Sequence, residues 1–197
     1  RRRRHGRAGA GAAGVTAARA GAMVAAMQID VATTVAHMAD QLERMSGWLD
    51  KARAHAAAKK FDADTLLTAR LAPDQFALVR QLGSACDTAK LAASRLTGKA
   101  APIHADDQKS VADCQARIAE TVAYLRGLAP ADYARAAEAK ITFGWMPGKY
   151  LEPANYIVNF AVPNFHFHLT HAYAILRHNG VDLGKMDYLA GLVFKDL

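Results

Sequence analysis

Val31, Val35, Met38, Leu42, Met45, Leu49 and Ala52 recur along the chain at alternating steps of four and three. Asp40, Glu43, Arg44, Asp50 and Lys51 fall between them, so the segment is apolar on one side and charged on the other. This spacing predicts a helix over residues 30–58, about eight turns long. A turn follows at Phe61-Asp62-Ala63-Asp64, where Asp62 or Asp64 is placed to cap a short helix running to residue 70. Leu78, Leu82, Ala85, Ala89, Ala92 and Leu96 form a second stripe of the same period, flanked by Phe76, Val79, Gly83 and Cys86. Pro73 suits the first turn of that second long helix, Asp74 adds negative charge there, and Gly98 is its natural stop. A third helix is predicted to open at Asp106 or Asp107 and to bury Val111, Cys114, Ile118, Val122 and Leu125. Gly127 and Pro130 mark its end.

Between residues 131 and 155 the pattern changes. Lys140-Ile141-Thr142-Phe143 alternates, and Gly144-Trp145-Met146-Pro147-Gly148-Lys149-Tyr150 supplies turn formers with aromatics among them. A small hairpin or a structured crossover loop is the expectation. A fourth helix follows as far as Arg177 or His178 and stops at Asn179-Gly180; Pro163 either kinks it or marks the first turn of its main segment. Residues beyond Gly180 read as a docked tail. Separate stripes with short connections favour packing within one chain over a coiled coil. The predicted fold class is therefore all-α: an antiparallel four-helix bundle with a long crossover, containing a small hairpin, before the last helix.

With 197 residues, 52% hydrophobic and 22% charged, the chain suits one globular domain with its own core. No apolar run approaches the roughly 18 residues of a membrane span, so no membrane partner is expected. Two cysteines, Cys86 and Cys114, are too few for a disulfide framework and fit a reducing, cytoplasmic setting. The formal charge of +7 invites a nucleic-acid reading, but its distribution argues against one. Of the 25 Lys and Arg, six (Arg1, Arg2, Arg3, Arg4, Arg7 and Arg19) stand in an acid-free head. The other 19 face 18 Asp and Glu, a net of +1. A nucleic-acid binder carries its excess charge on the folded domain, so nucleic acid is not an expected partner. Residues 1–26 read as a disordered basic head, closer to upstream read-through before Met23 or Met27 than to a transit peptide. Residues 27–197 read as the bundle.

The one constellation able to carry chemistry is His166, His168, His171 and His178 in NFHFHLTHAYAILRHNG. At about 100° per residue, His168 falls in line with Phe165, Ala172 and Ile175 and is expected to face the bundle interior. His171 lies about 60° to one side, and His166 points nearly the opposite way, toward water or the crossover. Two imidazoles at i and i+3 can hold one metal ion, but a site needs a third ligand. The second helix contains no histidine. It offers Asp74 at its start and Asp87 off its stripe, and His37 lies outside the stripe of the first helix. A histidine hydrogen-bonded at the core is therefore expected over a metal site. Tyr173, with Tyr150 and Tyr156, can line a cleft, although an amphipathic ring at a core edge explains these tyrosines as well. The cysteines have no activating base in view, and no phosphate loop, GxSxG, CxxC or HExxH occurs.

Four stretches in order, SGWLDKARAHA, LLTARLAPDQFALVRQLGSACDTAK, PNFHFHLTHAYAILRHNG and VDLGKMDYL, carry a family likeness. Over residues 28–191 the chain resembles the bacterial domain-of-unknown-function family numbered nineteen ninety-three, which is grouped with the DinB/YfiT-like bundles. The resemblance implies a four-helix bundle, commonly dimeric, with no established reaction. Metal-binding members of that wider group use one His from the second helix and a His-x-x-x-His pair from the fourth. Here the second helix lacks His and the position four after His168 is Ala172. The triad does not carry over, and neither does the thiol-dependent transferase chemistry of the group.

The expected function is thus that of a helical bundle without a cofactor, binding a small ligand or a partner such as a second copy of itself. His168, His171, Asp74, Asp87 and Tyr173 are the pocket candidates. The alternative is a divalent-metal-dependent hydrolase or transferase using His168 and His171.

Overall fold

The computed structural model describes residues 30–196, so the basic head lies outside the described residues. Helix α1 (Val31–Lys59) buries Val35, Met38, Leu42, Met45, Leu49 and Ala52, the stripe legible in the sequence, together with Trp48. A single 3-10 segment (Ala63–Thr68) follows instead of a helix to residue 70; Asp62 caps it by accepting from the Asp64 N–H.

Helix α2 (Leu78–Thr97) begins later than Pro73 predicts. Pro73 and Asp74 lie in an exposed turn, where the Gln75 N–H closes on the Ala72 carbonyl and Arg70 donates to the Gln75 carbonyl at 2.9 Å. Those local bonds hold the segment out of helix until Ala77, the N-cap. Gly98 ends α2 at φ 75°, a left-handed conformation that glycine adopts without a Cβ clash.

Helix α3 (Val111–Arg126) opens on Ser110 in a capping box with Asp113, not on Asp106 or Asp107. Asp64 reaches over from the preceding connection to accept from the Val111 N–H at 2.7 Å, satisfying one of the free donors of that first turn. Cys86 and Cys114 are both buried and free. Burial pushes their thiols up to about 12 and about 11, so neither is a nucleophile at neutral pH.

The crossover holds the predicted hairpin: β1 (Ile141–Thr142) pairs antiparallel with β2 (Tyr150–Leu151), Ile141 opposite Leu151. Beyond it, a short helix α4 (Pro153–Tyr156) passes through one π turn (Ile157–Ala161) into α5 (Val162–His178). The Val162 N–H bonds to the Ile157 carbonyl five residues back. That wider turn lets Pro163 enter within the first turn of α5, where its missing N–H costs little.

The strongest packings are α2 against α5 and α3, and α1 against α3; α1 also touches α2 and α5. The interior face of α5 is Phe165, Leu169, Ala172, Ile175 and Leu176. Leu169 takes the place the sequence assigns to His168, because the larger apolar side chain gains more from burial than an imidazole that must keep its hydrogen bonds. His168 is half-buried at the flank of α2. His166 is half-buried too, contrary to the expected water-facing position. The tail covers it: Val181 and Leu183 are buried, and helix α6 (Lys185–Tyr188) sets the Tyr188 hydroxyl 3.0 Å from His166 Nδ1. Among the described residues, no helix is long and apolar enough to cross a membrane.

Both histidines leave a signature in the pH dependence of stability. Burial first, then the neighbouring His37, holds the His166 pKa below its ordinary 6.5. Burial, then His171 and Arg80, does the same for His168. The native state thus prefers both rings neutral, while the unfolded chain binds protons as pH falls through about 6.5. Their stabilising contribution is full above that value and is lost progressively below it. Urea melts between pH 7.5 and 5.5 should show stability falling with acidity, and the double variant His166→Phe/His168→Phe should flatten the slope. An unchanged slope in that variant would contradict this assignment.

Candidate ligand cleft

Tyr156, Phe160, Asn164 and His168 recur every four residues along α4, the π turn and α5. In an uninterrupted α-helix, four-residue steps drift by about 40° each. The π turn takes up part of that drift, and all four side chains line one cleft of about 240 Å³. The facing wall is α2, which contributes Ser84, Asp87, Thr88, Leu91 and Arg95, again at helical spacing. Phe143 and Trp145 from the hairpin loop complete it.

The polar groups of the cleft are held in fixed orientations. Gln81, buried on α2, donates from Nε2 to the Phe76 carbonyl at 3.2 Å, which leaves its Oε1 to face His168 Nδ1 at 2.8 Å. Nδ1 must therefore carry the proton, and Nε2 keeps its lone pair. Phe76 stacks parallel to the imidazole with ring centroids 6.5 Å apart. Since burial also keeps the ring neutral, Nε2 is an acceptor at neutral pH. Further along the wall, Asn164 donates to Thr88 Oγ1 at 2.7 Å, and Thr88 donates to the Ser84 carbonyl at 2.7 Å. Arg95 Nη1 donates to the Tyr156 hydroxyl at 3.0 Å, and its guanidinium lies over the rings of Phe143 at 4.8 Å and Tyr156 at 5.6 Å.

Asp87 contributes a carboxylate to the same cleft, but its charge is already matched. Arg117 Nη2 bonds it at 2.8 Å and Lys90 Nζ at 2.9 Å. Lys90 is almost fully buried and also donates to His104 Nδ1 at 2.8 Å. His104 therefore carries its proton on Nε2 and gives it to Glu120 at 3.0 Å.

Of the five sequence candidates, the structure brings His168 and Asp87 to one cleft. The other three lie elsewhere. His171 does not line the cleft: its Nδ1 donates to the Phe167 carbonyl of its own helix at 2.6 Å and its ring rests on Phe167. Tyr173 is a core-edge ring, edge-on to Trp48, with its hydroxyl 3.3 Å from the Leu183 carbonyl. Asp74 stays in its exposed turn.

Sequence reasoning missed Arg95, Thr88, Asn164, Phe143, Trp145 and Phe160. The period-four run of Tyr156, Phe160, Asn164 and His168 was the available signal for the α5 side. Among the described residues, no group of three or more His, Cys, Asp and Glu side chains is placed to hold a metal ion. The residues present do not fit a three-histidine centre, because His168 faces Gln81 on α2 and Ala172 stands one turn further on.

Fold and cleft together define a DinB-like helical bundle whose histidine is buttressed by an amide. The chain belongs to the family described as Domain of unknown function (DUF1993), whose model matches residues 31–189. It is similar to the crystal structure of a DinB family member protein from Shewanella denitrificans, at 45% identity and a TM-score of 0.80. That likeness covers 83% of this chain and 93% of the other. No curated protein matches the chain.

Proposed function

We propose that this protein binds a small organic molecule in the cleft between α2 and α5, with His168 Nε2 as the acceptor offered to it. The observation that carries this reading is the hydrogen-bond chain from the Phe76 carbonyl through Gln81 to His168. It fixes one tautomer and one ring orientation at a cleft wall. Gln81 takes up Nδ1, so the remaining ring nitrogen, Nε2, is the acceptor left for a bound molecule. Aromatic walls with a few convergent polar groups are the usual make-up of small-molecule sites.

The reading is tested by ligand-observed NMR with a set of small aromatic acids, amines and neutral amides. Native protein is compared with Leu91→Trp, which fills the cleft from its rim. Leu91 is 38% exposed, so the larger ring can be added without rebuilding the core. Saturation-transfer signals lost in Leu91→Trp are the expected result. Absence of any binder, or binding indifferent to the substitution, would refute the proposal.

A further inference from the structure

Arg95 is the one cleft residue whose charge is unmatched. Among the described residues, no carboxylate pairs with it, and its guanidinium makes a single side-chain hydrogen bond, to the Tyr156 hydroxyl. It is half-buried and held between two aromatic faces. A cation in that setting gives up hydration that cation–π contact restores only in part. The one acid on the cleft wall, Asp87, is neutralised by Arg117 and Lys90, so it neither pairs with Arg95 nor repels an incoming anion strongly. The tyrosine bond uses one of the five guanidinium N–H groups, which leaves a fork able to meet a planar carboxylate. Around it, Phe143, Trp145, Phe160 and Leu91 form apolar walls, and the cleft volume of about 240 Å³ suits a small aromatic of one ring or two fused rings.

We propose that the ligand is a small aryl carboxylate, its carboxylate on Arg95 and its ring against Phe143, Trp145 and Phe160. This rests on the cleft being the ligand site and adds the ligand's charge and shape. A carboxylate fits better than a phosphate, because one guanidinium with no second free cation in the cleft matches a monoanion. His168 Nε2 then accepts from a donor elsewhere on the molecule, which selects aryl acids bearing an N–H or O–H, such as an indole or a phenol.

The experiment is isothermal titration of the full chain with phenylacetate, 4-hydroxyphenylacetate and indole-3-acetate, each beside its primary amide. Native protein is compared with Arg95→Gln, Arg95→Lys and Leu91→Trp, all first shown to fold by circular dichroism. The acids should bind at least tenfold more tightly than their amides and weaken as salt rises, since a partly screened ion pair is being made. Arg95→Gln should bring the acid-to-amide ratio close to one, and Arg95→Lys should restore part of it. A purely structural role for Arg95 would lower both affinities and leave their ratio unchanged. If acid and amide bind native protein equally and Leu91→Trp removes both, the carboxylate assignment fails while the cleft stands. If none of the six compounds binds, the aryl carboxylate assignment fails; if Leu91→Trp leaves binding intact, the cleft reading and this one fail together.

Discussion

Replacing Trp48 with alanine is expected to destabilise the protein by about 3–5 kcal/mol, the usual range for removing a large aromatic from a core. Trp48 is 1% exposed on α1, stacked on Tyr188 at 5.8 Å and met edge-on by Tyr173 at 5.6 Å. Its indole N–H donates to the Asp187 carbonyl at 2.9 Å, tying the first helix to the tail 139 residues away. Lys51 on the same helix bonds the Asp187 side chain at 2.6 Å. The alanine variant therefore opens a cavity and frees the tail together. Trp48→Phe keeps most of the ring but strands the carbonyl, so it should cost less, about 1–3 kcal/mol. Chemical denaturation of both variants checks the order. A loss below about 1 kcal/mol for Trp48→Ala would mean that the tail does not close over this helix.

Arg117→Met should be nearly as damaging. The Arg117 side chain, on α3, is 4% exposed and ties the loop before that helix to the middle of α2. Its guanidinium bonds Asp106 at 2.9 Å, Gln108 at 2.9 Å and Asp87 at 2.8 Å. Breaking a buried ion pair from one side typically costs about 3–5 kcal/mol. Asp87 and Asp106 retain 36% and 49% side-chain exposure, so water can take over part of the role, and about 2–4 kcal/mol is expected here. Gly83 supplies an independent check, since a Cβ there would lie 3.2 Å from Arg117 Cζ. Gly83→Ala should destabilise by displacing the guanidinium, although alanine is the better helix former. If Arg117→Met and Gly83→Ala both prove neutral, Arg117 does not hold these elements together.

Arg117 and Asp106 also mark where sequence reading runs out. Asp106 has the right residue type to cap α3, and nothing nearby disqualifies it. It is drawn instead to Arg117, which lies on the helix it was expected to open, and to Arg80 on α2, and Ser110 takes the cap. Pro73 fails as a helix start for a similar reason, because bonds within the turn at residues 71–75 outcompete helix there. The water-facing expectation for His166 takes His168 as the centre of the interior face of α5, whereas that face is centred on Phe165 and Leu169 and leaves His166 to its side. The tail, folding back over α1, covers the side that the helix alone leaves open.

What the sequence determines by itself is the four long helices and, for α1 and α2, the face each one buries. Leu42, Met45 and Leu49, like Leu82, Ala85 and Ala89, record burial in the local frame of one helix, where a period near 3.6 can be read without knowing the neighbour. Gly98 likewise stops α2 through its own backbone freedom. What only the tertiary structure decides is which polar groups meet. Gln81 reaches His168 across 87 positions and Arg95 reaches Tyr156 across 61, and no local periodicity encodes those pairings. The cleft is built entirely from such meetings. Its α5 wall further depends on a π turn that shifts the helical phase ahead of Pro163, so the side chains that line it follow from how two distant segments pack and not from either segment's own pattern.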